Sequence, residues 1–223
     1  MTTYLTGGGD QEHFRHLDLR FFDDLPQGSS LGVLAQAGDD PQESLERIEQ
    51  DFEHKKVSSI ELVERPSEEV LDFDALIIEG GNTFNLIRAI RDTDFFSLLK
   101  KFSALGKPIY ADSAGAIVLG SDVHTAFLGD EGDEDQLKLQ DYRGLDIIHP
   151  WCVHAHSTAD DFEELQDILY ATGNPILALA EETGVRISDN EIEAFGNDPL
   201  WVISFMGKEC IKPGEKRILS SFT

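Results

Sequence analysis

Basic residues are scarce in this 223-residue chain: 18 Lys and Arg stand against 43 Asp and Glu, for a formal net charge of -25. A surface of that sign repels phosphate backbones and anionic headgroups, which argues against nucleic acid and membranes as partners. Long hydrophobic runs are missing too, and no uninterrupted apolar stretch could span a bilayer. The opening MTTYLTGGGD lacks the basic and apolar regions of an export signal, so a cytoplasmic protein is expected. The only cysteines, Cys152 and Cys210, form no CxxC pair. That excludes a disulfide framework and a cysteine zinc site, and fits a reducing compartment.

What is present is an apolar fraction of 40%, enough for a sizeable core, and the length suits one domain over 1–223. Short apolar runs alternate with amphipathic stretches from end to end, the pattern of an α/β domain. Residues 31–35, 60–63, 75–78 and 109–111 read as strands, and the third is apolar throughout, as a central parallel strand covered on both faces should be. Asp40 and Pro41 offer a cap and first position for a helix over 42–55, with Leu45, Ile48 and Phe52 on its packed face. Helices are also expected over 83–91, 95–105 and 160–172. Residues 129–141 form an acidic stretch, Pro150 interrupts the apolar run 145–153, and the tail reads as short strands in hairpins. The expected fold is a three-layer α/β/α sandwich with a mostly parallel central sheet.

Two segments carry chemistry. In IYADSAGAIVLG, residues 109–120, a strand meets a turn of small residues around Ser113. A nucleophile has to stand clear of its own sheet, and a tight strand-turn-helix does this only with small neighbours, here Ala111, Ala114, Gly115 and Ala116. The same turn aims the Ala114 amide at a developing oxyanion. In IEGGNTFNLI, residues 78–87, Gly80 and Gly81 let the backbone approach another group, while Asn82 or Thr83 caps the next helix. Two such turns at the ends of neighbouring strands form two sides of one pocket.

EGGNTFNL, followed about thirty residues later by ADSAGA and then by CVHAH, resembles the serine peptidase family of aspartyl dipeptidase (peptidase E) and cyanophycinase. The likeness covers roughly residues 70–190, with an echo in LTGGGD. It implies a class I glutamine-amidotransferase-like fold with Ser113 as nucleophile on an elbow and His154 as general base. It also implies an oxyanion hole from Gly80, Gly81 and the Ala114 amide, hydrolysis of short peptides, no cofactor and a possible homodimer. The acidic partner stays open: Asp130 is favoured from the loop between serine and histidine, with Asp122, Glu131, Asp133 and the later Glu181 as alternatives. Glu79 stands where the family has the first glycine of GGGNT, and Asp112 directly before Ser113 is unusual for the family. The arginine with which aspartyl dipeptidases read an acidic substrate is missing from HAHSTADDFEEL, which opposes strict aspartyl specificity.

Two other readings compete. His154 and His156, two apart as on one strand face, with His149 and Asp160 near in sequence, have the residue types of a metal hydrolase. An anion at Asp112 beside the serine would oppose a negative intermediate, as in an inactive binding homologue.

Overall fold

The computed structural model describes residues 1–9, 11–38, 40–51, 57–130 and 132–222. Its main sheet grows outward from β1 (Thr2–Thr6), which pairs in parallel with β5 (Ile109–Asp112). Beyond β5 lie β4 (Ala75–Ile78), β2 (Ser29–Leu34) and β3 (Val57–Leu62), all parallel. On the other side of β1 the chain adds β8 (Thr183–Ser188), β9 (Glu191–Gly196) and β12 (Lys216–Ile218), antiparallel. The strand order is β12-β9-β8-β1-β5-β4-β2-β3.

Side chains alternate across a strand, so successive residues serve opposite layers. Tyr4, Val33, Ile77 and Tyr110 pack in one cluster with Leu17, Phe21 and Phe22 of α1 (Arg15–Asp24) and Ile48 of α2 (Pro41–Asp51). Their neighbours Leu5, Leu34, Ile78 and Ala111 pack in the other cluster. There they meet α3 (Thr83–Arg91), α4 (Phe95–Ala104) and α5 (Ala114–Leu119). Helices on both faces of a largely parallel sheet make the expected three-layer α/β/α sandwich.

Local signals account for several boundaries. Asp40 Oδ1 accepts the N–H groups of Gln42 and Glu43 at 3.0 and 3.3 Å, and Pro41 opens α2 with its φ already helical. The part of the expected helix over 52–55, with Phe52, lies outside the described residues. Helix α1 went unpredicted because the glycines before it and its charged positions mask a short packed stripe. The interrupted run 145–153 yields only β6 (Cys152–His154), and the His149–Pro150 bond is cis.

The tail departs from expectation. It does form hairpins, but they divide between two sheets. Strands β7 (Ile176–Ala178), β10 (Leu200–Ser204) and β11 (Gly207–Ile211) join β6 in a second sheet of order β11-β10-β7-β6. Its apolar face packs on α6 (Phe162–Thr172) through Cys152, Leu165, Leu169 and Ile203. Among the described residues no helix is long and apolar enough to cross a membrane.

Two outcomes follow from this packing. A Cβ on Gly115 would lie 2.2 Å from the Ile78 carbonyl oxygen, a backbone atom that cannot swing away. Gly115→Ala should therefore cost about 3 kcal/mol, read as a lowered denaturant midpoint in equilibrium unfolding. Burial pushes the Cys152 thiol up to about 12, while Cys210 is half-buried. Iodoacetamide at pH 8 should label Cys210 in the native protein and Cys152 only after unfolding, counted by intact mass.

Candidate active site

Strand β5 lies between β1 and β4, so the turns that leave these three parallel strands converge at one sheet edge. Ser113 occupies the turn after β5 at φ 48° and ψ -113°, a conformation that costs a residue with a Cβ on the order of 1–3 kcal/mol. Its surroundings hold it there. Its N–H donates to the Thr6 carbonyl at 3.1 Å, and its carbonyl receives the Ile117 N–H at 3.0 Å as α5 begins. Gly115 lets α5 lie against β4, and a Cβ on Gly80 would come 3.3 Å from the Ser113 Cβ. The two turns singled out in the sequence are thus in contact.

The imidazole beside the serine belongs to His156. Its Nε2 lies 2.8 Å from Ser113 Oγ, and its Nδ1 lies 3.2 Å from Glu181 Oε1. His156 sits just past β6 at φ 51°, with its N–H on the Gly7 carbonyl at 2.9 Å. A Cβ on Gly8 would fall 2.2 Å from the ring's Cε1, so the glycine loop after β1 makes the space the imidazole fills. The serine hydroxyl and one ring nitrogen are within proton-transfer distance, and a carboxylate faces the other.

His154, expected as the base, is placed elsewhere. As a residue of β6 it is buried, with Nδ1 3.1 Å from the Thr125 carbonyl oxygen and Nε2 3.3 Å from Asp161 Oδ2. Burial holds its pKa below the ordinary histidine value, with Asp161 pulling the other way. For Asp161 burial acts upward, but the Thr158 N–H and His154 outweigh it and lower the pKa. His154 therefore lines the pocket wall instead of meeting the serine. The signal that separates the two histidines is position: a partner for a residue beyond the sheet edge comes from beyond a strand end, and His156 has passed it.

The candidate acids separate in the same way. Asp130 is exposed and is not the partner of either histidine. Asp122 accepts the His124 N–H at 2.9 Å and faces its Nδ1 at 2.7 Å. Asp133 accepts the Thr83 N–H at 2.7 Å and the Asn82 side-chain amide at 3.1 Å, which ties the acidic loop to the start of α3. Glu131 lies outside the described residues. Of the four that are described, Glu181 is the one on the serine's histidine. His154 and His156 direct their ring nitrogens at different partners, and His149 pairs with Asp146 at 2.9 Å, so the histidines do not converge as metal ligands would. Among the described residues no group of three His, Cys, Asp or Glu could hold a metal ion.

Beneath the serine, on the α1/α2 side of the sheet, lies a charge cluster that sequence reading left unconnected. Thr6 pairs with Asp112 in the β1–β5 register and donates its hydroxyl to Asp112 Oδ1. Burial raises the Asp112 pKa, while the Thr6 hydroxyl and the nearby Arg47 charge oppose the rise. Glu79 is buried at the end of β4 and forms an ion pair with Arg47 from α2. Arg47 thus offsets the negative charge of Glu79 and Asp112.

A pocket of about 260 Å³ opens beside Ser113, with His156, Ile117, Thr83 and Asp133 among its walls. It is the size of an amino-acid side chain with room to spare.

Residues 4–195 match the model of peptidase family S51. A peptidase E from Nostoc sp. is 25% identical over 178 residues, 73% of this chain and 69% of its own length. One from Shewanella sp. is 24% identical over 161 residues, 70% of this chain and 68% of its own. In solved structures the fold recurs in a peptidase from an acI-B1 Actinobacterium, with a TM-score of 0.70 at 15% identity over 97% of this chain and 96% of that one. A candidate peptidase E from Listeria monocytogenes gives a TM-score of 0.65 at 18% identity, over 87% of this chain and 98% of that chain. With a family match over most of its length, and a serine turn and pocket at the sheet edge, this chain belongs to peptidase family S51, a membership that supports a peptidase-like hydrolytic activity.

Proposed function

We propose that the protein hydrolyses short peptides through an acyl-enzyme on Ser113, with His156 as general base and Glu181 as the carboxylate that orients it. The observation that carries this reading is the chain Ser113–His156–Glu181, at 2.8 and 3.2 Å, built on a serine held in a strained turn. With the Nδ1 proton directed at Glu181, the Nε2 lone pair faces the hydroxyl. Ser113 Oγ attacks the scissile carbonyl while His156 takes its proton. His156 then gives that proton to the departing amine as the C–N bond breaks. Water attacks the ester, its proton passes to His156, and Ser113 leaves with that proton.

The negative oxygen of each tetrahedral intermediate is received by the backbone amides of Gly80 or Gly81 and Ala114. The turn after β4 touches the serine, and Ala114 is the first residue of α5, so these donors are fixed before substrate arrives. Asp112 fits an active site of this kind. Its carboxylate is engaged by Thr6 and offset by the charge of Arg47 and by the imidazole of His156. The chemistry requires no cofactor.

With a dipeptide mixture as substrate and free amino acids measured by mass spectrometry, Ser113→Ala and His156→Gln should each lower kcat by about 10³-fold or more. Glu181→Gln should cost roughly tenfold or more. Full activity in His156→Gln would transfer the role of base to another residue.

Arg47→Met removes the positive charge paired with Glu79 and near Asp112. The added negative potential opposes the charge of the tetrahedral intermediate, so kcat/KM should fall several-fold near neutrality. Adding Glu79→Gln to that variant should restore part of the loss, which a merely disrupted fold would not do.

A further inference from the structure

The pocket beside Ser113 has a defined chemical character. Among the described residues that line it there is no lysine or arginine, and Asp133 supplies a carboxylate. Both Asp133 oxygens are held by donors at the start of α3, Thr83 N–H and the Asn82 amide, so the carboxylate is fixed in direction while each oxygen keeps acceptor capacity. A second observation is independent of that charge. Thr83, also in the pocket wall, is fully buried, and its hydroxyl has no hydrogen-bond partner. An unpaired buried hydroxyl costs stability, and a ligand atom can supply its partner. Burial keeps His154, on the same wall, towards its neutral form, so it does not counter the carboxylate.

Resting on the hydrolytic reading above, we infer that this pocket takes a cationic nitrogen of the residue on the acyl side of the scissile bond, with Asp133 and the Thr83 hydroxyl as its partners. The group is an ammonium or guanidinium, carried either on the basic side chain of that residue or on its free α-amine. A substrate carboxylate would meet Asp133 in a confined site without a cation in its wall, so acidic residues are rejected there. Asp133 and Thr83 are specificity-determining residues and do not enter the chemistry.

The test separates binding from turnover. Calorimetry on Ser113→Ala would measure Lys-Ala, Arg-Ala, Leu-Ala, Asp-Ala and N-acetyl-Leu-Ala, while the wild type is assayed for cleavage of the same peptides. At least one cationic source should give a tenfold or greater preference, as a charge-assisted contact does. Tighter binding of Lys-Ala and Arg-Ala than of Leu-Ala identifies the side chain, and loss of Leu-Ala binding on acetylation identifies the α-amine. Asp-Ala should be the weakest of the free dipeptides. Asp133→Asn should reduce the preference by a similar factor, and Thr83→Val, which keeps the shape and leaves the α3 cap in place, should reduce it several-fold.

Equal binding of all five peptides, the acetylated one included, would overturn the inference, as would no binding of any peptide. An unchanged ranking in Thr83→Val together with a folded Asp133→Asn would also overturn it. Selective binding by Ser113→Ala without cleavage by the wild type would leave the pocket assignment standing and overturn the hydrolytic reading instead.

Discussion

The close approach of three strand ends is the constraint on which the site depends. Strands β1, β5 and β4 run side by side and in parallel, and their exits crowd together. A serine with a left-handed φ is tolerated there because β1 accepts its N–H, α5 begins on its carbonyl and β4 presses against it. Glycines admit this crowding: Gly115 under α5, Gly80 against the serine and Gly8 beneath the imidazole. The local strain is small beside the burial of the two apolar layers that fix the strands, so the fold can hold the turn.

The same alternation that builds the layers sorts the charges. Thr6, Glu79 and Asp112 continue the register of Tyr4, Ile77 and Tyr110 and so lie on the α1/α2 side, where Arg47 answers them. The pocket lies on the other side, with α3 and α5. The carboxylate next to the serine in sequence thereby turns towards Thr6 and Arg47, while staying within electrostatic reach of His156. Parity along a strand decides the matter, and proximity in sequence does not.

Much of the architecture was legible because its causes are local. The apolar run of β4, the Asp40–Pro41 start of α2 and the cap before α3 each depend on a few neighbouring residues. Ser113 and the Gly80–Gly81 turn were found for the same reason. Less was legible where partners come from afar: β11 and β12 are short and exposed along much of their length, and the second sheet exists only because β6 finds β7.

By itself the sequence determined the α/β class, the serine on its turn and the lack of arginine and lysine in the stretch after His154, since each resides in contiguous residues. Only the tertiary structure decided which histidine and which carboxylate accompany that serine. His154 and His156 are two residues apart and alike in chemistry, but one ends inside a strand and the other passes the sheet edge into the space left by Gly8. Asp130 lies in the loop between serine and histidine where the acid was expected, yet Glu181, beyond the next strand of the second sheet, is the carboxylate the fold delivers to the ring. Spacing along a chain does not encode which loop ends meet; the packing of the strands that carry them does.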